Sequence, residues 1–162
     1  MSLARALYRS RQVVHALRPR IDASDLAFAR SLLTDRERDL FDAMERRDQR
    51  HAVAVLTKVR VHTEDHDVLI AALLHDCGKG AVPVWLRILK VVSPGMLTRL
   101  AHADESKGWR YAAYRLDAHE HIGERMAREA GVAEGAVRLI AGQATPEDAW
   151  RVAILEAADD ES

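Results

Sequence analysis

Residues 75–79 bring together side chains that bind metal ions and a glycine that ends a helix. His75 and Asp76 follow an apolar run, and Gly78 and Lys79 come shortly after them. Helical spacing places His75 on the same face as the apolar residues before it, and Gly78 is typical of the position just beyond a helix. A buried carboxylate needs a partner, and an adjacent imidazole nitrogen and carboxylate oxygen can bind one divalent cation.

Three other titratable residues fall on predicted buried stripes of other helices: His51, His119 and Asp159. His51 lies at i, i+4 spacing from Val55 and 24 residues before His75. Taken alone, His51 is more typical of a core or boundary histidine with a hydrogen bond, and its position before His75-Asp76 is what favours a metal ligand. Asp159 could likewise be a helix-end charge in an acidic tail, and Lys79 an exposed lysine that follows a helix.

The types and order of these residues resemble a known metal-binding signature. A lone His51, then His75-Asp76, then a distant Asp159 is similar to the pattern of the HD superfamily of metal-dependent phosphohydrolases. Residues 119–123, His-Glu-His-Ile-Gly, also resemble the His-x-x-x-Gly of its cyclic-dinucleotide phosphodiesterase branch. The resemblance spans roughly residues 47–160.

The resemblance implies a phosphomonoesterase or phosphodiesterase that acts on a nucleotide or other small phosphate ester by attack of a metal-bound water. One divalent ion (Mn, Mg, Fe, Co or Ni) would lower the pKa of that water and act as a Lewis acid. Asp76 would orient the water, Lys79 would neutralise phosphate charge, and His119 would contact the phosphate, protonate the leaving oxygen or bind a second metal. The implied ligands of the ion are His51, His75, Asp76 and Asp159.

Departures from the family pattern narrow this expectation. Residues 139–144 contain none of the additional histidines of two-metal relatives, so one metal ion is expected and a second is not. The Gly-Tyr-Pro motif is missing, and Gly78-Lys79 replaces the Glu-Asp of alarmone hydrolases, which argues against both of those substrates. A non-catalytic or regulatory helical binding module remains an alternative, as does, with less support, a di-iron oxygenase of the same superfamily.

Composition limits the partners of the chain. Its 162 residues suit one domain, and 24 basic against 25 acidic residues favour neither a nucleic acid polymer nor a membrane as partner. Cys77 is the single cysteine, which fits a reducing compartment and predicts a cytoplasmic location. No segment is apolar over the ~20 residues that a membrane helix needs.

The absence of strand alternation predicts an all-α protein, a single compact HD-type domain of about seven helices. Residues 1–46 are expected to form N-terminal helices that pack on residues 47–162, the metal-binding part of the same structural unit. The apolar hairpin over residues 82–101 is a candidate homodimer interface.

Local signals predict several helix ends and orientations. Asp22 or Ser24 should begin one helix, Thr34 with Glu37 should form a capping box, and Gly131 should end the helix that starts near His119. His51 is expected to open a helix. Asp48 is expected to face outward, and both His62 and His66 are expected to be exposed.

Overall fold

The computed structural model describes residues 21–162, and the helix predicted over residues 1–20 lies outside them. The described chain is all-α, as predicted, without a strand and with ten α-helices. It has more helices than the predicted seven because several are short; α6 and α9 contain seven residues each. The helices are α1 Ala23–Leu32, α2 Asp35–Asp42, α3 Arg46–Val59, α4 His66–Leu74, α5 Val84–Val92, α6 Pro94–Leu100, α7 Trp109–Asp117, α8 His119–Ala130, α9 Glu134–Ile140 and α10 Ala149–Asp160.

The predicted helix ends are confirmed where the sequence carries a capping residue. The Asp22 side chain accepts a hydrogen bond from the Ser24 amide (2.8 Å) at the start of α1. Thr34 and Glu37 form the reciprocal capping box of α2, which satisfies amides that the first turn leaves without partners. Gly131 ends α8 in the left-handed conformation (φ +84°), which a side chain would strain.

Helix α4 is the centre of the fold. Its residues from Val68 to Leu74 are all buried, as expected for a helix that is apolar on every face. It packs chiefly against α3 and α9, with further contacts to α1, α2 and α10. Residues of α1 and α2, including Ala29 and Phe41, join the same core, so these first described helices pack on the rest of the chain.

A second, smaller core holds α5, α6 and α7 together. It consists of Val82, Leu86, Leu97, Ala113 and Leu116. The turn that follows α4 and the start of α8 lie where the two cores meet. His75 and Asp76 follow α4 of the large core, and Lys90 of α5, in the small core, lines the same cleft.

Three orientations differ from the sequence-based expectation. Helix α3 begins at Arg46, so His51 sits in its second turn and does not open it. Asp48 is buried (3% exposed) instead of facing outward, because both of its oxygens accept hydrogen bonds from Arg87 at 2.9 and 2.8 Å. Asp159 lies on the last turn of α10, where its side chain is 46% exposed instead of buried.

The exposed positions of His62 and His66 are confirmed. Among residues 21–162, no helix combines the length and apolar character needed to cross a membrane.

Candidate metal centre

A close backbone contact fixes the turn that carries His75 and Asp76. A side chain at Gly78 would collide with the His119 carbonyl oxygen and would place its Cβ 2.7 Å from the Gly123 amide nitrogen. A Cβ added at Gly123 would lie 3.5 Å from the backbone nitrogen of Gly78. The two glycines let the turn after α4 rest directly on the first turns of α8, which holds His75, Asp76 and His119 in one region.

His51, His75 and Asp159 converge from α3, the end of α4 and α10. One ligand atom from each lies within 4.8 Å of the others. The Nε2 atom of His51 is 2.6 Å from Asp159 Oδ1, and the same oxygen is 3.5 Å from His75 Nε2. The hydrogen bond with His51 and the proximity of His75 hold the pKa of the Asp159 carboxyl well below its usual range. Three residues separated by up to 108 positions in the sequence thus form one cluster.

The His75 ring presents a free nitrogen to this cluster. Its Nδ1 donates to the Ala72 carbonyl oxygen (3.1 Å), so in the neutral ring the lone pair lies on Nε2. That Nε2 is buried and has no hydrogen-bond partner, because the oxygens of Asp159 and Asp76 at 3.5 and 3.6 Å lie too far away. A backbone carbonyl that fixes the tautomer in this way is typical of metal-binding histidines.

Asp76 stands beside the cluster. Its side chain is 3% exposed, with Oδ1 3.6 Å from His75 Nε2 and Oδ2 2.5 Å from Lys79 Nζ. Burial alone would raise the pKa of Asp76, but His75 and Lys79 outweigh it and lower that pKa. Asp76 is therefore a buried carboxylate whose charge is balanced by its neighbours. Among the described residues, the group whose ligand atoms all lie close to one another consists of His51, His75 and Asp159. Asp76 is not part of it.

His119 also approaches Asp76. Its Nδ1 donates to the Leu116 carbonyl oxygen (3.1 Å), and its Nε2 lies 4.0 Å from Asp76 Oδ1. Burial, together with the nearby charges of Lys90 and Lys79, lowers the pKa of His119 to about 4. The ring is accordingly neutral near pH 7, with its lone pair on the side of the site.

A cleft of about 400 Å³ is lined by His75, Asp76, Lys79, His119 and Asp159. Lys90 of α5 lies along it and donates to the Leu116 carbonyl oxygen at 3.1 Å, and burial lowers the pKa of this lysine. Sequence reasoning did not identify Lys90 as a site residue. The one available signal was that Arg87 and Lys90, one turn apart, are the only charged residues in an otherwise apolar helix.

Cys77, adjacent to the site in sequence, is not available for chemistry. It is buried, its Sγ lies 3.9 Å from the Gly123 carbonyl oxygen, and burial raises its pKa to about 12. A thiol with so high a pKa is neither a nucleophile nor a metal ligand at neutral pH.

No protein-family model, no curated protein and no solved structure matches this chain. The likeness to the HD pattern consequently rests on the residues themselves and their order.

The three-residue cluster fits a divalent cation on its own chemistry. Two neutral imidazole nitrogens and a carboxylate oxygen suit zinc and the first-row transition metals. The distances of 3.5 and 3.6 Å from His75 Nε2 to the two carboxylates are close to the spacing of neighbouring ligands around one ion with bonds of ~2.0–2.2 Å. A cation there would also give the buried His75 Nε2 the partner that it lacks.

Proposed function

We propose that the protein is a metal-dependent phosphohydrolase that acts on a nucleotide or another small phosphate ester. The observation that carries the proposal is the buried, unpartnered Nε2 of His75, aimed between the carboxylates of Asp159 and Asp76. A neutral imidazole nitrogen directed at two anions is unfavourable, and it requires either a proton on the ring or a metal ion between them. The cytoplasmic location predicted from the single cysteine is part of the same proposal.

His51, His75 and Asp159 would hold the cation, with Asp76 as the adjacent fourth ligand. Once bound, the ion would supply Lewis acidity toward the phosphoryl oxygens and a water of lowered pKa. Two imidazoles and one or two carboxylates leave coordination positions open, as a catalytic site requires.

The remaining polar groups of the cleft have complementary roles toward a phosphate ester. Asp76 Oδ1 is placed to orient a water and accept its proton, since Lys79 holds only the other oxygen. Lys79 and Lys90 both line the cleft and would offset the charge of the phosphoryl oxygens. His119 Nε2, which lies 4.0 Å from Asp76 Oδ1, would contact the leaving group.

Metal analysis of protein purified without a histidine tag tests the proposal most directly. We expect about one divalent ion per chain in the wild type, and a loss of that ion in His75→Ala. His62→Ala is the matched control, because His62 is exposed and outside the site. Hydrolysis of p-nitrophenyl phosphate with Mn, Mg, Co, Ni or Fe should be abolished in Asp76→Ala without loss of helical content.

Other outcomes of the same measurements would support different functions. Two irons per chain would favour the di-iron oxygenase alternative. A protein that binds no metal and hydrolyses no phosphoester with any of these ions would instead be a non-catalytic helical binding module, and the proposal would be wrong.

A further inference from the structure

A second cleft of about 330 Å³ opens on the other side of the Asp76–Lys79 ion pair. The proposed catalytic cleft and this one share both members of the pair, so they meet at the groups expected to contact the reacting phosphate. The second cleft is lined mainly by basic residues: Arg47, Arg50, His51, Lys79 and Arg87.

Two of these cations are not neutralised by the protein. Arg87 is paired with the buried Asp48, and Lys79 with Asp76. Arg47 and Arg50, in contrast, have no carboxylate within ion-pair distance among residues 21–162, and their side chains make no hydrogen bond there. Arg47 lies one turn before His51 on the same face of α3, Arg50 directly precedes His51, and all three line this cleft. The cleft therefore carries a surplus of two positive charges next to a candidate ligand of the metal.

The position of these arginines opposes the local preference of a helix. The positive end of the helix dipole disfavours cations in the first turn. Helix α3 nevertheless begins Arg46-Arg47, with Arg50 one turn later, and it has no side-chain cap. Asp48, the acidic residue of this turn, is paired with Arg87 and not with Arg47 or Arg50. A stretch that keeps unpaired cations at this end of a helix is typical of a functional site. The dipole and the two guanidinium groups would together attract an anion.

We infer that this second cleft is a subsite for a second phosphate group of the substrate. The inference rests on the proposed function, because it assumes that the ester to be cleaved lies beside Asp76 and Lys79. Arg47 and Arg50 would bind the uncleaved phosphate through paired N–H donors, the geometry in which guanidinium groups recognise phosphate best. The preferred substrates would then be small bisphosphates, with monophosphates lacking one of the two anchoring points.

Steady-state hydrolysis of matched nucleotides tests this assignment. The wild type should cleave adenosine 3′,5′-bisphosphate with a kcat/KM at least tenfold above that for adenosine 5′- or 3′-monophosphate. Arg47→Gln and Arg50→Gln should each raise the KM for the bisphosphate about tenfold or more and leave kcat/KM for the monophosphates unchanged. Arg50→Lys should recover only part of the loss, because an ammonium group lacks the paired donors.

Arg46→Gln is the matched control, since Arg46 is exposed in the same turn but does not line the cleft. Equal kcat/KM values for bisphosphate and monophosphates, or an equal loss in Arg46→Gln, would overturn the subsite. If 3-phosphoglycerate were preferred over the bisphosphate, the second anion recognised would be a carboxylate, which would also contradict the phosphate assignment.

Failure of the proposed hydrolase function would be recognisable separately. If the wild type cleaves none of these compounds, calorimetric titration with the bisphosphate and the monophosphates still measures the subsite. Tighter binding of the bisphosphate that is lost in Arg50→Gln but kept in Arg46→Gln would support the subsite in a protein without hydrolase activity. Indistinguishable binding would overturn it.

Discussion

The rings of His75 and His119 are held by the same kind of hydrogen bond but lie in opposite electrostatic environments. Each donates from Nδ1 to a backbone carbonyl three residues earlier, at 3.1 Å, and each turns Nε2 toward Asp76. Burial alone would lower the pKa of both rings. Near His75 the carboxylates of Asp159 and Asp76 more than offset that effect and raise its pKa, whereas near His119 two lysines reinforce it. Groups whose pKa values are pushed apart in this way are suited to different roles in one site.

The prediction at this scale concerns His119. His119→Ala should lower kcat by about 10²–10⁴-fold, the usual contribution of a proton-transfer group, and leave the bound metal near the wild-type amount. The reason is that His119 does not belong to the cluster of His51, His75 and Asp159, and its Nε2 lies 4.0 Å from Asp76 Oδ1. Turnover and metal content, measured on the same preparation, check both parts.

His121→Ala is the control for this experiment, because His121 lies on the same helix turn with an exposed side chain. A donor role for His119 requires a proton on Nε2, and a phosphate dianion beside it would oppose the effect of the lysines and favour the protonated ring. Loss of metal in proportion to activity would instead make His119 a ligand.

The sequence predicted the approximate placement of the histidines because helical periodicity determines which face a residue occupies. It did not predict Lys90, whose role depends on how α5 packs against α7, nor the burial of Asp48. Both depend on partners about 26 and 39 residues away. Periodicity within one helix contains no information about such contacts.

At the scale of elements, the site depends on the packing of the turn after α4 against α8. Asp76 and His119 approach each other because Gly78 and Gly123 allow two backbones to touch. The Arg115 Nε atom donates to the Gly78 carbonyl oxygen at 3.0 Å, which ties α7 to the same turn. The sequence indicated that Gly123 permits a close approach, but it did not identify Gly78 as the partner.

Gly78→Ala should therefore destabilise the protein. The added methyl group would collide with the His119 carbonyl oxygen, and that atom belongs to the backbone and cannot rotate away. Overpacking of this kind costs about 1–3 kcal/mol, which thermal or urea unfolding followed by circular dichroism would detect.

Gly95→Ala provides the matched comparison. Gly95 lies in the first turn of α6 with no atom near its hypothetical Cβ, so alanine there should stabilise the helix by up to about 1 kcal/mol. An unchanged melting temperature in Gly78→Ala would show that the turn can move away from α8 without cost, and that the site does not depend on this contact.

At the scale of the whole molecule, the small core leaves an apolar surface exposed. Arg87 and Lys90 point toward the site, so the opposite side of α5 is left to apolar residues. The indole rings of Trp85 and Trp109 lie with their centroids 5.4 Å apart at its edge. We define this apolar surface as Val84, Trp85, Ile88, Val91, Val92, Met96 and Trp109, each of them exposed.

The size of the apolar surface favours a second copy of the chain as its partner. Seven large apolar residues, each about half exposed or more, present on the order of 700 Å². A stable dimer buries about 800 Å² on each partner, so the apolar surface with its rim is large enough. No Asp or Glu occurs in residues 82–103, and a two-fold axis through α5 would bring no acidic pair together.

We therefore expect the protein to be a homodimer that Ile88→Glu converts to a monomer. Ile88 is 58% exposed at the middle of the apolar surface, and a carboxylate placed there would be buried against its own copy across the axis. Sedimentation equilibrium would give masses near 36 kDa for the wild type, twice the 18.1 kDa of the chain, and near 18 kDa for the variant. Val61→Glu replaces another exposed apolar residue, outside the surface, and should remain dimeric. A monomeric wild type at micromolar concentration, or a dimer that persists in Ile88→Glu, would contradict this interface.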